Sequence, residues 1–178
     1  MERRRVFMVL APVALALGAT ACSSSPTTTP ATPTTVGAPS ASAIPIPTSD
    51  RSPAGAAGAE PTVVVPKGTP GKDLEVADLI VGTGPTAKAG DAVTVQYVLA
   101  SYSARKVIQS SWTSQPFEFV VGQGQVIPGW DRGVAGMQAG GRRELIIPAS
   151  LGYGSQSPGA GIAPNDTLVF IVDLLKIG

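Results

Sequence analysis

The 178-residue sequence contains no histidine and a single cysteine, Cys22. Nucleophilic sites of the Ser-His-Asp or Cys-His type therefore cannot be built from this chain, and neither can zinc sites made of cysteine and histidine. A lone cysteine also cannot form a disulfide within the chain. These absences exclude most classes of enzyme.

Charge is also scarce, since only 14% of the residues are charged. The 13 basic residues nearly balance the 12 acidic ones, and three of the basic residues stand together at positions 3–5. Without these three and Glu2, the remaining chain has a net charge of −1. A basic surface for nucleic acid is thereby excluded as the main interpretation.

The N-terminus has the pattern of an export signal. The arginines at 3–5 precede an apolar run at residues 6–17, which is short for a membrane-spanning helix. Small residues at 18–21 lead into Cys22, an order that resembles the bacterial lipobox, in which the cysteine is lipidated. We therefore predict a signal peptide over residues 1–21 and a lipid anchor at Cys22, on the outer face of the bacterial cell membrane. The alternative is an incidental thiol beside an ordinary cleavage site.

Residues 22–61 have the composition of a tether. Ser, Thr, Pro, Ala and Gly dominate, aromatic residues are absent, and the only charges are those of Asp50, Arg51 and Glu60. Such a segment buries too little apolar surface to offset the entropy of the chain. We predict that it is disordered, that its prolines keep it extended, and that it holds the domain away from the lipid surface. Its hydroxyl groups could carry sugars, or the segment could be a plain spacer without modification; the sequence leaves both alternatives open.

Residues 62–178 predict one domain of short strands. In residues 92–101, Val93, Val95, Tyr97 and Leu99 alternate with other residues, as in a half-buried strand. Similar runs predict strands at 74–80, 106–111, 117–121, 142–147 and 167–177. The last run is apolar on both faces, so we expect it to be central. Residues 63–65 predict a short edge strand, or else the end of the tether folded against the sheet.

One short helix is expected after residue 127. Proline is favoured in the first turn of a helix, which suits Pro128. Trp130, Val134 and Met137 lie on one side at helical spacing, and the glycines at 140–141 end the pattern. A bulky indole beside the aromatic strand at 117–121 predicts the floor of an apolar pocket.

These motifs together resemble the FK506-binding-protein (FKBP) family of peptidyl-prolyl isomerases. An aromatic strand at 117–119, Val-Ile-Pro-Gly-Trp at 126–130, Gly-Tyr-Gly at 152–154 and Thr-Leu-Val-Phe at 167–170 follow in order. The resemblance covers residues 74–178. It implies an α+β fold, a twisted antiparallel sheet wrapped around one short α-helix. It also implies prolyl isomerase activity on proline-containing polypeptides, with macrolide inhibitors as further ligands and no cofactor or metal.

The resemblance also implies a role for each pocket residue. Tyr97 and Tyr153 would supply hydroxyls, the backbone N–H of Ile127 would bind the substrate carbonyl, and Trp130 would form the floor. These four are the expected catalytic positions. The expected substrate-binding residues form the walls: Ile108, Gln109, Phe117, Val126, Ile162 and Phe170.

Gln109 is the main departure from the family pattern, which usually has an acid there. We therefore expect reduced or altered turnover. The function we predict is a monomeric prolyl isomerase that assists the folding of exported proteins at the cell surface. The alternative is a non-catalytic peptide-binding chaperone or interaction module with the same fold. A purely structural spacer domain would leave the aromatic pocket without a purpose.

Overall fold

The computed structural model describes residues 43–159 and 161–178. The chain divides into two units, and the first, Met1–Ala38, lies wholly outside the described residues. The predictions of a signal peptide, of lipidation at Cys22 and of disorder in residues 22–42 therefore also lie outside them. The elements are β1 (Ile44–Pro45), β2 (Glu75–Ile80), β3 (Ala92–Ser101), β4 (Lys106–Ser110), β5 (Phe117–Val120), α1 (Pro128–Val134), β6 (Arg142–Ile147) and β7 (Leu168–Ile177), with 3-10 turns at Thr48–Asp50 and Ala149–Leu151.

The seven strands form one sheet in the order β1-β2-β6-β7-β3-β4, and β5 pairs with β3 beside β4. Every pair is antiparallel except β1 with β2, which is parallel. The predicted antiparallel sheet with one short helix is thus confirmed, whereas β1 was not predicted. β7 lies between β6 and β3, as its apolar residues on both faces predict.

Helix α1 packs against the inner face of the sheet through two glycines. A Cβ atom added to Gly129 would lie 2.4 Å from Ile147 Cγ2, and one added to Gly133 would lie 2.6 Å from Leu145 Cδ2. Because atoms cannot approach that closely, only glycine allows α1 to lie this near β6. Trp130 and Val134 are buried between them.

The helix is shorter than the sequence predicts. It ends at Val134, and Gly136 then adopts a φ of 83°, a left-handed conformation that suits glycine. Met137 therefore lies beyond the helix and not on its third turn, although it is still buried in the same core. The spacing of these residues reflects a shared core and not a continuous helix.

Residues 43–66, which we call the strap, begin with the edge strand β1 and then lie on the outer face of the sheet, opposite α1. Ile46 is 1% exposed and packs with Ala77, Ile146 and Val169 from three strands. The prediction of a disordered tether is therefore wrong for residues 43–61. Residues 63–65 are not a strand but pack against the sheet, which is the second of the two alternatives.

Two buried charged side chains of β6 hold the strap in place. Arg142 forms a two-pronged ion pair with Asp173, at 2.6 and 2.7 Å, and donates to the carbonyls of Ala54 and Ala59, each at 2.6 Å. A buried charge is costly unless it is paired and hydrogen-bonded. The strap supplies two main-chain acceptors that Arg142 needs, so this segment is part of the fold.

Glu144 makes the complementary contact. Its carboxylate accepts hydrogen bonds from the Ser52 N–H at 2.9 Å and the Ser52 hydroxyl at 2.5 Å. Both residues are buried. Ser52 is therefore an internal residue of the domain, although its sequence neighbourhood resembles a linker.

The strap reaches across the sheet to β4. In the turn between β3 and β4, Arg105 donates to the carbonyls of Val65 and Pro66, at 2.7 and 3.0 Å. Glu60 accepts a hydrogen bond from the Ser110 hydroxyl of β4 at 2.6 Å. The strap thus connects the β1 edge of the sheet to the strand that carries Gln109.

Candidate active site

A cavity of about 480 Å³ opens on the inner side of the sheet, where β3, β4 and β5 meet the start of α1. Its lining residues are Tyr97, Leu99, Gln109, Phe117, Gln125, Val126, Ile127, Trp130, Tyr153 and Phe170. Most of them are apolar or aromatic, and none is a carboxylate, a lysine or an arginine. Among the described residues, the two phenols are therefore the only ionisable side chains in the lining.

Trp130 forms the floor of this cavity and organises the other aromatic rings. Its ring centroid lies 5.3 Å from that of Tyr97, 5.2 Å from that of Phe170 and 5.9 Å from that of Phe117. All three contacts have interplanar angles above 80°, the edge-to-face geometry that aromatic pairs favour. The four rings form an apolar cup whose Trp130 floor is 4% exposed and whose Phe117 rim is 40% exposed.

The entry into α1 leaves a hydrogen-bond donor at the floor. Ile127 precedes Pro128 and has extended dihedral angles, φ −58° and ψ 146°, as a residue before proline favours. Its carbonyl accepts the N–H of Trp130 at 2.9 Å. Within residues 43–159 and 161–178, no acceptor pairs with the Ile127 N–H. The Ile127 N–H is thus a main-chain donor of the cavity lining next to an aromatic surface.

The loop before α1 is fixed by a carboxylate of the helix. Asp131 accepts hydrogen bonds from the N–H groups of Gly122 and Gly124, each at 2.9 Å and each through a different oxygen. Both glycines have positive φ, 76° and 66°, so the backbone can turn twice in three residues. Gln125 accepts the N–H of Val120 at 2.9 Å, which closes the turn. These contacts set the position of the segment that carries Ile127.

Two tyrosines line the cavity, Tyr97 from β3 and Tyr153 from the loop after the second 3-10 turn. Burial raises the pKa of Tyr97, and the nearby Tyr153 raises it further. Burial also raises the pKa of Tyr153. Both phenols therefore stay protonated at neutral pH and can donate hydrogen bonds. Ser111 holds the backbone of Tyr97 in place. The Tyr97 N–H donates to the Ser111 hydroxyl at 2.9 Å, and the Tyr97 carbonyl accepts a hydrogen bond from the Ser111 N–H at 3.0 Å.

Gln109 lies in the lining on β4 and is exposed. Its amide is the polar group that β4 presents to the cavity, where the family pattern predicts an acid. Among the described residues, no group of three His, Cys, Asp or Glu side chains could hold a metal ion. The site therefore offers shape, apolar surface and neutral hydrogen-bonding groups.

The structure brings together eight of the ten pocket residues that the sequence predicts. The other two, Ile108 and Ile162, are not in the lining but pack behind it in the main core. A Cβ atom added to Gly161 would lie 3.3 Å from Ile108 Cδ1, so Ile108 faces the loop after Tyr153. These two side chains support the wall and do not form its surface.

Leu99 and Gln125 line the cavity but were not predicted to do so. The alternation along β3 could have identified Leu99, because it is two residues beyond Tyr97 and on the same face. Gln125 had no such signal. Its place in the lining follows from the hydrogen bond to Val120, which joins residues five apart.

Residues 84–175 match the family profile FKBP_C, described as FKBP-type peptidyl-prolyl cis-trans isomerase. Over 120 residues, the chain is 48% identical to an FK506-binding protein of Streptomyces anulatus, covering 66% of this chain and 97% of that protein. It is 50% identical over 104 residues to FK506-binding protein 4 of Neurospora crassa. That match covers 58% of this chain but only 22% of the relative.

A solved structure of a peptidyl-prolyl cis-trans isomerase from Pseudomonas syringae pv. tomato is similar, with a TM-score of 0.52 and 31% sequence identity. The match covers 59% of this chain and 75% of that one. The similarity therefore extends to the fold and to the sequence of the part that builds the cavity.

Proposed function

The chain belongs to the FKBP-type peptidyl-prolyl cis-trans isomerase family, and we propose that it isomerises X-Pro bonds of exported proteins in the cavity over Trp130. The observation that carries the assignment of the site is the combination of an aromatic floor with an unused main-chain donor, the Ile127 N–H. Both are needed to hold a proline ring and a carbonyl next to it.

The reaction requires no covalent step. Rotation about an X-Pro bond meets a barrier of about 18–20 kcal/mol, because resonance gives the C–N bond double-bond character. The twisted amide has less charge separation than the planar one, so an apolar site that excludes water favours the twisted form. The aromatic cup supplies such surroundings, and no charged group in its lining stabilises the planar form.

The polar groups of the lining have separate roles in this proposal. The Ile127 N–H donates to the carbonyl next to the proline and holds one side of the rotating bond. The neutral hydroxyls of Tyr97 and Tyr153 donate to the substrate from the opposite wall. Phe117, Val126 and Phe170 enclose the proline ring.

The test is exchange of a short Leu-Pro peptide in the presence of the full chain. We expect clear acceleration, and a loss of at least about tenfold when Tyr97→Phe and Trp130→Leu are combined. Tyr102→Phe is the matched control, because Tyr102 lies on the outer face and should leave the rate unchanged. No acceleration by the wild type would contradict the proposal.

A second candidate function rests on Gln109. Without an acid at this place, the same cavity would hold proline-bearing segments with little turnover, as a binding module. If Gln109→Asp raised the isomerisation rate sharply and left peptide affinity unchanged, binding would be the natural role. Efficient isomerisation by the wild type would exclude that alternative.

The location proposed here is the outer face of the bacterial cell membrane, with Cys22 carrying the lipid. Its support is the order of arginines, apolar run, small residues and cysteine at the N-terminus. Within residues 43–159 and 161–178, no helix is long and apolar enough to cross a membrane. Metabolic labelling with a fatty acid should mark the protein, and Cys22→Ala should abolish the label. Unchanged labelling of that variant would contradict the anchor.

A further inference from the structure

The strand β4 carries Gln109 into the wall of the cavity, but the sheet alone holds this strand weakly. Among the described residues, β4 pairs with β3 only and stands at one end of the strand order. The register pairs Gln109 with Leu99 and Val107 with Ala100, so Ile108 between them is left out of the pairing. Such a bulge interrupts the hydrogen-bond ladder and redirects the neighbouring side chains. The position of Gln109 therefore needs support beyond the ladder.

The strap supplies that support at both ends of β4. In the turn before β4, the Arg105 guanidinium donates to the carbonyls of Val65 and Pro66, at 2.7 and 3.0 Å. Arg105 has a φ of 53°, a left-handed conformation that is uncommon outside glycine, so these contacts also hold the turn. At the far end of β4, the Ser110 hydroxyl donates to the Glu60 carboxylate at 2.6 Å. The strap thus restrains β4 on either side of its bulge.

Glu60 and the cavity lie on opposite sides of β4. Ser110 directly follows Gln109, and successive side chains of a strand point to opposite faces. The strap therefore holds Ser110 from the outer side, while Gln109 lines the cavity on the inner side. The Ser110 oxygen also accepts the N–H of Trp112 at 3.2 Å, which fixes the turn after β4. A shift of β4 away from the strap would consequently move Gln109 within the wall.

These contacts differ in burial from those that Arg142 and Glu144 make with the strap. Both Glu60 and Arg105 are exposed, whereas Arg142 and Glu144 are buried. Contacts of exposed charged groups contribute little to the free energy of unfolding. The effect of Glu60 and Arg105 should therefore be found in the position of β4 and not in the stability of the domain.

We propose that Glu60 and Arg105 are positioning residues of the active site, which act by fixing β4 and with it Gln109. This inference rests on the proposed isomerase function and gives the strap a role in the reaction as well as in the fold. A small displacement of a group that contacts the substrate is enough to lower a rate. In the full chain, Glu60→Ala combined with Arg105→Ala should lower kcat/KM for a Leu-Pro peptide about fivefold. The urea midpoint should stay close to that of the wild type.

Two single variants serve as controls for this loss of activity. Glu60→Gln keeps an acceptor oxygen for the Ser110 hydroxyl, so it should retain the wild-type rate. Asp50→Ala removes a carboxylate from the same strap, but at its 3-10 turn beside Glu75 of β2, and should also retain the rate. A loss in Asp50→Ala as large as that in the combined variant would mean that the strap acts through its charge and not through β4.

The same pair of substitutions in a Gln109→Ala background shows whether Gln109 transmits the effect. With the amide of Gln109 removed, Glu60→Ala and Arg105→Ala together should change kcat/KM by less than about twofold. A fivefold loss that persists in this background, or no loss in the background of the wild type, would overturn the positioning proposal.

The side-chain amide of Gln109 gives a measurement that does not depend on turnover. Its NMR signals, assigned by their loss in Gln109→Ala, should shift in the combined variant and stay in place in Glu60→Gln and Asp50→Ala. Unchanged signals in the combined variant would contradict the proposal. If the wild type did not accelerate the peptide, the isomerase proposal would fail, whereas these signals would still decide whether the strap positions Gln109.

Discussion

The Tyr97 ring stands edge-on to the indole of Trp130, with centroids 5.3 Å apart and planes at 83°. The two residues come from different elements, β3 and α1, so their contact joins the sheet to the helix at the floor of the cavity. This pair of side chains therefore combines packing with the substrate contact proposed above.

Substitutions of these two residues should affect the free energy of unfolding and the isomerase activity differently. Tyr97→Phe keeps the ring contact, so the free energy of unfolding should change by less than about 1 kcal/mol while kcat/KM falls through loss of the hydroxyl. Trp130→Leu removes the floor and should lower both, with a stability loss of about 2 kcal/mol. Urea unfolding and peptide exchange measure the two quantities. Equal stability losses in both variants would contradict the assignment.

The pH profile should reflect the absence of charged groups from the lining. Burial raises the pKa of both Tyr97 and Tyr153 above the ordinary value of about 10, so the phenols remain protonated at all lower pH values. The isomerisation rate should be constant from pH 5 to about 9. It should fall only when the phenols ionise, with circular dichroism confirming that the fold persists.

Gln109→Asp is the variant to compare with the wild type in this pH profile of the isomerisation rate. It places a carboxyl group with an ordinary pKa of about 3.9 in the lining, so its profile should gain a step at acidic pH. A step near neutral pH in the wild type would show that an ionisable group outside the described lining controls the rate.

Asp131→Asn should reduce activity although the side chain is not in the cavity lining. The amide keeps one acceptor for Gly122 or Gly124 but turns an N–H group toward the other, which loosens the loop before Ile127. We expect kcat/KM to fall about threefold to tenfold, with a stability loss of about 1 kcal/mol. Asp73→Asn, at an exposed position, is the control. If both variants were equally active, the positioning role of Asp131 would be wrong.

Removal of residues 43–61 of the strap should strongly destabilise the domain. A chain of residues 62–178 lacks the Ser52 groups that contact Glu144 and the Ala54 and Ala59 carbonyls that contact Arg142. Hydrogen bonds to charged groups contribute about 1.5–3 kcal/mol each, so we expect a loss of at least about 3 kcal/mol relative to residues 43–178. Urea unfolding of the two chains decides this, and equal midpoints would show that the strap contributes nothing.

Glu144 should make the contribution of the strap contacts to stability depend on pH. Burial raises the pKa of its carboxyl above 4.5, while the hydrogen bonds from Ser52 and the nearby Arg51 lower it in part. The folded protein then holds the proton more tightly than the unfolded chain does. The contribution of this group to stability is full below about pH 4.5 and is lost as pH rises through the folded pKa.

The comparison with Glu144→Gln isolates that contribution, because glutamine has a similar volume and does not ionise. The free energy of unfolding of the wild type minus that of the variant should fall as pH increases from 4 to 8. A difference that rises with pH would mean that the ionised carboxylate is the favoured form in the fold.

The strands of the domain were predictable because each one has a local pattern. The alternation of Val93, Val95, Tyr97 and Leu99 reflects a strand with one face in the core, and β3 has that environment. The site was predictable for the same reason, since its residues sit at fixed places in strands and at the helix entry. Pairing order and the end of α1 depend on tertiary contacts, which the pattern does not contain.

The strap could not be predicted, because its contacts have no local signal. Ser52 resembles the many serines of the preceding segment, and what distinguishes it is Glu144, which lies 92 residues further along the chain. The same holds for Ala54 and Ala59, whose contribution is a main-chain carbonyl. Composition identifies segments that lack apolar residues, but it does not identify a buried charge elsewhere that needs them.

The strap also determines the order in which the domain can be completed. It is synthesised first, yet its partners Arg142 and Glu144 follow almost a hundred residues later, so a growing chain must keep the strap undocked until β6 is available. Closing so large a loop costs entropy that only finished contacts repay. Docking of the strap is therefore expected to be a late event, and the two buried charges remain hydrated until it occurs.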